Sequence, residues 1–397
     1  MTSWDAIVIG GGPGGSSAAR ALVAAGMRVV VVDAARFPRD KICAGWVTPG
    51  VLTRLDLTPA ELSAHGLTVQ PIAGFKTSLV GGHPICTDYD ADVSYGIRRR
   101  EFDAFLLKRS GATVVEGTRL TSLNRDGNNW TINDSHTAPV LVGAGGHFCP
   151  VARALQAPDD HQREQAGVVL AQEIEIPITD DIAARVPSRP EFHFSRDLGG
   201  YGWIFRKGAY LNVGFGHIAD GDAGLKPRRH TADPDNSGGG PSGPETFKEM
   251  AAAYQQWLSS RADLPREALE RWKGHAYLLA PRGRQAVGDG VLLVGDAAGL
   301  AFPASGEGIR TAVESGTLAA QAIVAARGDY STARLAPYAA SLSRTFGHRR
   351  ADALSAIVPE AVRQAIAPLL MRSAWFTRHV LIDRWFLRPG VRPLEVA

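Results

Sequence analysis

The sequence lacks most of the features that would settle a function directly. Its three cysteines, Cys43, Cys86 and Cys149, cannot all pair and are widely spaced. A disulfide framework is therefore excluded, and a reduced, cytoplasmic compartment is expected. There is no run of about 18 apolar residues, so no membrane-spanning segment is expected. The apolar residues after Trp4 are broken by glycine and lack a charged leader, so no signal peptide is expected. Charge of either sign is not in excess. With 43 Lys and Arg against 40 Asp and Glu, the net charge is +3, which gives no argument for a nucleic-acid partner. The 11 histidines show no zinc spacing; His83 beside Pro84 reads as a turn residue and His230 as part of a loop, so no metal is expected. No internal repeat and no Ser-His-Asp set is evident.

What is present begins at "DAIVIGGGPGGSSAARALVAAGMRVVVVDAA". This reads as an apolar strand, a glycine turn, an Ala-rich helix and a second buried strand, a βαβ unit of a parallel sheet. Gly10, Gly12 and Gly15 make G-x-G-x-x-G, with Pro13 and Gly14 inside it. The first glycine allows the tight turn, the second lets backbone approach a pyrophosphate, and the third lets helix and strand pack closely. The phosphate would sit on the helix N-terminus. Asp33 closes the second strand, placed for a ribose hydroxyl. The glycine turn alone does not separate FAD from NAD.

A second signal does. "LLVGDAAGLAFPASGEGIRTAVESG" runs from a buried strand into Gly295-Asp296, then through "PASGEGI" into a helix. The strand end presents a carboxylate at the sheet edge where ligands of such folds bind. Gly306 and Gly308 put N–H groups at a helix start, suited to the negative charge of a reduced flavin's N1–C2=O edge.

Between these signals lie segments of β character. "GVVLAQEIEIPI" (167–178), "EFHFS" (191–195) and "GWIFRKGAYLNVGFGH" (202–217) read as neighbouring antiparallel strands, with Lys207-Gly208 as a turn. Helices are expected over 244–260 and 306–327, and several after Pro337. The expected fold is α/β: a Rossmann-like FAD-binding domain (1–70, 96–155 and 277–330) with a parallel sheet. An antiparallel-sheet substrate domain (71–95 and 156–276) is inserted into it, with a flexible loop at about 220–244, and 331–397 form a C-terminal helical region. For "RSAWFTRHVLIDRWFLRPGVRPL" two readings stay open: an interfacial membrane contact, or a helix packing its aromatics on the body.

The chain resembles the FAD-dependent enzymes of the aromatic-hydroxylase (glutathione-reductase-like) fold, and most closely the geranylgeranyl reductase group. The resemblance covers residues 4–330. It rests on the glycine signature with Asp33, on Arg99-Arg100-Glu101-Phe102-Asp103-Ala104-Phe105-Leu106 for the group's Arg-x-x-x-Asp-x-x-Leu element, and on Gly295-Asp296 with Pro303 to Ile309. It implies an Arg99 contact near the FAD phosphates, a structural Asp103, an Asp296 contact to the ribityl chain or ribose, and an isoalloxazine lined by Pro303, Gly306, Glu307, Gly308 and Ile309. Lys41-Ile42-Cys43-Ala44-Gly45 occupies the place of the reductases' Lys-x-Cys-Gly-Gly-like segment. Ala44 and Gly45 would let backbone approach the ring, and Cys43 is the candidate catalytic residue, with Lys41 near its thiol. Tyr201-Gly202-Trp203-Ile204-Phe205-Arg206 is similar to their Tyr-x-Trp-x-Phe-Pro element, with Arg206 replacing proline. Tyr201, Trp203 and Phe205 alternate, so they share a strand face and form an apolar substrate wall.

Two departures bear on function. The hydroxylases' middle Asp-Gly is absent, since the segment here is Gly143-Ala144-Gly145-Gly146, and halogenases' Trp-x-Trp-x-Ile-Pro does not occur. The electron source, NAD(P)H or an electron-donor protein, is left open. The leading expectation is an FAD-dependent oxidoreductase that reduces or oxidises a carbon–carbon bond of an apolar, isoprenoid-like molecule by hydride transfer at flavin N5. The alternatives are an FAD-dependent monooxygenase acting on a secondary metabolite and a non-catalytic electron-transfer flavoprotein. The expected location is cytoplasmic, with membrane association through the C-terminus as the variant.

Overall fold

Val29, Val30, Val31 and Val32 bury every side chain, as do Ala6, Ile7, Val8 and Ile9. A strand apolar on both faces must lie inside a covered parallel sheet. In the computed structural model, which describes residues 1–155, 168–186, 188–219, 247–278, 285–302, 305–346 and 360–388, they are the middle of a six-stranded sheet. Its order is Val287–Gly288, Val291–Leu293, Leu141–Gly143, Ala6–Ile9, Val29–Val32, Thr113–Val115. All neighbours run parallel except the first pair. Ile9 pairs with Val32 and with Gly143, and Gly143 with Leu293. Gly10, Asp33, Ala144 and Val294 therefore leave the sheet along one carboxyl edge. The Pro13–Ala24 and Ile309–Ala326 helices pack closely on one side. A Cβ on Gly316 would lie 2.2 Å from the Gly14 carbonyl oxygen.

The second sheet has seven strands, in the order Lys273–Leu278, Val168–Pro177, Tyr210–Ala219, Gly200–Lys207, Glu191–Phe194, Gly74–Leu79, Ile85–Asp88. It is antiparallel except where Glu191–Phe194 runs parallel to Gly74–Leu79, so the expectation of an antiparallel sheet holds for all but one pair. The exception arises where a strand from one inserted segment meets a strand from the other. Lys207 pairs with Tyr210, so the hairpin turn is Gly208-Ala209, one residue later than read, with Gly208 at φ +57°. Period-2 alternation gives the sheet two apolar faces. Phe192, Phe194, Trp203 and Phe205 point one way, and Ile204, Leu211, Val213 and Phe215 pack on the Phe247–Ser259 helix. The expected loop at about 220–244 lies outside the described residues.

Two small sheets were not anticipated. One contains Thr2–Ser3, His136–Ala138, Asn129–Ile132 and Leu123–Asp126; the other contains Trp46–Val47, Ser94–Ile97 and Val69–Ile72. Pro337 lies inside the Thr332–Phe346 helix rather than ahead of one. A π-type helix, Phe376–Leu387, follows Glu360–Leu370. It buries Phe376, Trp385 and Phe386 in the aromatic face of the second sheet, with Phe386 4.6 Å from Phe192 and 5.5 Å from Trp46 between ring centroids. Packing on the body thus accounts for three of the four aromatics, and Trp375 remains exposed. Among the described residues no helix is long and apolar enough to cross a membrane.

Candidate functional site

The glycine turn owes its shape to close approach. Gly10 has φ +108°, and a Cβ on it would sit 2.4 Å from the Ala144 carbonyl oxygen. A Cβ on Gly15 would sit 1.9 Å from the Gly10 carbonyl oxygen. Gly12 is different: its Cβ would meet only Arg39 Nη2, at 3.5 Å. The Pro13–Ala24 helix starts at Gly12 with no side-chain cap, leaving the first-turn N–H groups and the positive dipole end open. Asp33 braces the turn. Its Oδ2 accepts from the Gly11 N–H at 2.7 Å and its Oδ1 from the Ala35 N–H at 2.8 Å. An uncapped helix start with a carboxylate beside it is the chemistry a dinucleotide's pyrophosphate and ribose require.

These groups open on a cavity of about 440 Å³ that runs from the carboxyl edge of the parallel sheet to the aromatic face of the second. Gly10, Gly12, Pro13, Gly14 and Asp33 line it, and so do Ala44, Arg99, Gly295 and Asp296. Gly306, Glu307, Gly308 and Ile309 complete the cofactor side, while Cys43, Tyr201, Trp203 and Phe205 are also on the wall. Two expected residues stand behind it. Gly15 is buried in the helix beneath the turn. Gly45, at φ +66°, turns the loop against Ile97 and Lys207, where a Cβ would lie 2.1 Å from the Ile97 carbonyl oxygen. Pro303 lies outside the described residues. Where the hydroxylases carry aspartate the wall is Ala144, Gly145 and Gly146. The residues present therefore fit FAD: a bare helix start, an acid at the end of the second strand and a long cleft between two sheets.

The aromatic wall is fixed by hydrogen bonds. The Tyr201 hydroxyl donates to the Ser305 carbonyl at 2.6 Å, and Trp203 Nε1 donates to Asn212 Oδ1 at 2.7 Å. The Trp203 ring crosses Gly214, whose Cβ would lie 2.3 Å from it. Arg206, in place of the family's proline, donates to the Ala183 and Val186 carbonyls. Tyr201→Phe is expected to lower stability by about 1 kcal/mol, the usual net worth of one such bond, read as a melting shift, while leaving the apolar wall in place.

Charge is managed tightly. Arg99 donates from Nε and Nη2 to the two Asp103 carboxylate oxygens, at 2.8 Å each, and both residues are buried. Burial disfavours the guanidinium charge, but Asp103, with Cys43 adding to it, holds Arg99 above its ordinary value. Arg39 Nη2 approaches the same carboxylate at 3.3 Å. Lys41 Nζ lies 2.8 Å from His275 Nε2. Burial, and then the Arg99 charge, lower Lys41. Burial, and then Lys41, push His275 down to about 4.

Cys43 lines the cavity. Its Sγ accepts from the Gly45 N–H at 3.4 Å, and its own N–H donates to Glu173 Oε1 at 2.6 Å. Sequence reasoning missed Glu173, and it missed His275 and the Lys41 pairing. The available signal was two glutamates at alternate positions, 173 and 175, in a strand apolar but for them and Gln172, where buried charge is rare without a purpose. The two differ. Burial pushes Glu173 up to about 7, against the opposing Lys207 charge and the Cys43 N–H. Burial also opposes the ionised form of Glu175, but Lys207 at 2.7 Å and Arg98 at 2.9 Å hold its carboxyl below the ordinary range.

A family described as FAD binding domain matches residues 3–346 of the chain. A protein named menaquinone reductase, from Mycolicibacterium smegmatis, is 30% identical over 403 residues, covering 94% of this chain and 89% of that one. A geranylgeranyl diphosphate reductase from Synechocystis is 27% identical over 341 residues, 80% of this chain and 74% of that one. Among solved structures, a geranylgeranyl bacteriochlorophyll reductase-like protein from Thermoplasma acidophilum superposes with a TM-score of 0.73 at 19% identity, covering 97% of each chain. At that identity the likeness shows the fold.

Proposed function

The chain belongs to the FAD binding domain family, among the FAD-dependent oxidoreductases of the geranylgeranyl reductase group, and from that premise we propose that it reduces a carbon–carbon double bond of an apolar, isoprenoid-like substrate. FAD, when bound, supplies two-electron hydride chemistry at the flavin ring. The chain's own residues do the rest. The N–H groups of Gly12 and Gly14 would hold the pyrophosphate, Asp33 a ribose, and Asp296 the ribityl chain. Gly306 and Gly308 would meet the ring's polar edge, and Arg99 and Arg39 would offset phosphate charge. Cys43 and Ala44 would bring the loop against the flavin face.

The observation that carries the reading is the aromatic wall. Tyr201, Trp203 and Phe205, backed by Trp46 and Phe192, face the cofactor side across one cavity. Such a surface binds a long apolar chain by area and excludes water from the reacting bond. The names of the relatives support the class: menaquinone and geranylgeranyl diphosphate both carry prenyl double bonds.

The test loads purified protein with FAD, reduces it chemically without oxygen, and adds either prenyl substrate in detergent. The expected result is return of oxidised-flavin absorbance with a product whose prenyl chain, not its head group, is two hydrogens heavier. Reoxidation that occurs only when oxygen is admitted, with an oxygen atom in the product, overturns the reading in favour of a monooxygenase.

A further inference from the structure

Saturating a double bond takes a hydride and a proton in each turnover, and of the carboxyls on the cavity wall Glu173 is placed to carry that proton. Glu173 is 5% exposed and lines the main cavity. Its Oε1 accepts from the Cys43 N–H at 2.6 Å, which fixes the carboxyl beside the candidate flavin-facing loop. Its Oε2 is buried without a hydrogen-bond partner among the described residues. The Asn212 side-chain amide is next to it and favours the ionised form, but burial outweighs it. A buried carboxyl with no cation bonded to it is costly to leave ionised and easy to leave protonated.

Glu173 also lines a second, smaller cavity of about 110 Å³. Glu175 and Asn212 are on its inner side, while Asp40, Arg100 and Lys273 lie on its wall and are exposed. The carboxyl thus stands between the substrate space and a cleft bounded by surface groups. The charged groups facing it come from every side. Glu175 is on its own strand, Lys207 and Lys273 on the same sheet, and Arg98 beyond Glu175. Lys41, Arg99 and His275 line the main cavity with it, and Cys43 is bonded to it directly. Lys207 is held by Glu175, Arg99 by Asp103 and Lys273 by Asp40, so among the described residues these cations are engaged elsewhere and none is bonded to Glu173 itself.

We propose that Glu173 is the acid that delivers the proton to a substrate carbon in this cavity, and that the smaller cavity is the route by which it is reprotonated from solvent. This rests on the reductase reading above. In the proton half of the reaction the Glu173 O–H bond breaks and a substrate C–H bond forms. The carboxylate left behind takes a proton from water. The other hydrogen, with the electron pair, is the hydride that reduced FAD would contribute. Since the carboxyl is pushed up to about 7 by burial, its protonated fraction, and with it kcat, falls as pH rises through that value.

The test compares wild type with Glu173→Gln, whose amide oxygen can still accept from the Cys43 N–H but which has no proton to give. The variant is expected to lose about 100-fold or more in kcat, with KM and FAD affinity unchanged, and to lose the fall in kcat near neutral pH. Infrared difference spectra of wild type, taken between mildly acidic and mildly alkaline buffer, are expected to show a protonated-carboxyl carbonyl band titrating near neutrality. That band should be missing in the variant. Wild type without such a band overturns the proposal whatever the variant does. An active wild type with an equally active variant overturns the donor role alone and passes it to Cys43, whereas a wild type that reduces neither prenyl substrate overturns the reductase reading and the donor role together.

Discussion

Gly15→Ala is expected to weaken FAD binding by roughly 100-fold and to lower the melting temperature of the protein without FAD. The cause is local and steric. The new methyl would lie 1.9 Å from the Gly10 carbonyl oxygen, well inside contact distance, and that oxygen belongs to backbone that cannot rotate away. Either the Pro13–Ala24 helix slides off the sheet edge or the turn opens. Overpacking of this kind costs about 3 kcal/mol, which is about two decades in an equilibrium constant. The same movement displaces the N–H groups at the helix start. Gly12→Ala separates the two consequences. There the methyl meets nothing nearer than Arg39 Nη2 at 3.5 Å and points into open space. It should leave the melting temperature of the FAD-free protein unchanged yet block the approach of a pyrophosphate. Flavin-fluorescence titration and thermal melts of both variants check this. A Gly15→Ala protein with normal FAD affinity would show that the turn does not hold the cofactor.

Much of this cofactor edge was legible because its signals are local. Four consecutive valines, a glycine turn and a terminal acid follow one another within residues 10–33, and steric rules tie each to the next. The Ile309–Ala326 helix was legible for the same reason, since Gly306 and Gly308 mark its start. The Arg99–Asp103 pair lies within one helix at i, i+4 spacing, so a linear motif contains it whole. What escaped depends on residues far apart in the chain. Glu173 meets Cys43 across 130 positions, and Lys41 meets His275 across 234. The contrast between Glu173 and Glu175 arises from Lys207 and Arg98, which bond to one carboxyl and not the other. Two-residue strands such as Trp46–Val47 carry no periodicity to read. Pro337 misled because proline ordinarily ends a helix. Here the helix crosses it, with Leu335, Tyr338 and Leu342 buried in the main core.

Asp103→Ala is expected to lower stability by about 3–5 kcal/mol, the usual cost of leaving one member of a buried ion pair without the other. Asp103 is fully buried, and its carboxylate takes both Arg99 hydrogen bonds at 2.8 Å while Arg39 approaches at 3.3 Å. Its removal leaves a buried guanidinium with no strong acceptor and a second cation beside it. Removing Arg99 as well, in an Arg99→Met/Asp103→Ala protein, should recover part of the loss, because an apolar replacement does not carry the desolvation cost of an unpaired charge. The variant also tests what Arg99 does for the cofactor. If the Arg99 guanidinium faces the FAD phosphates, bound FAD restores a negative partner that Asp103→Ala has lost. Saturating FAD should then raise the melting temperature of Asp103→Ala by more than it raises that of wild type, and by less once Arg99 is methionine. Equal shifts in all three proteins would place Arg99 outside the phosphate site and leave it a role in packing alone. A larger shift confined to Asp103→Ala would give the family's Arg-x-x-x-Asp spacing a single physical meaning, in which the aspartate holds a buried cation in place so that the cofactor's diphosphate meets a charge already desolvated and oriented.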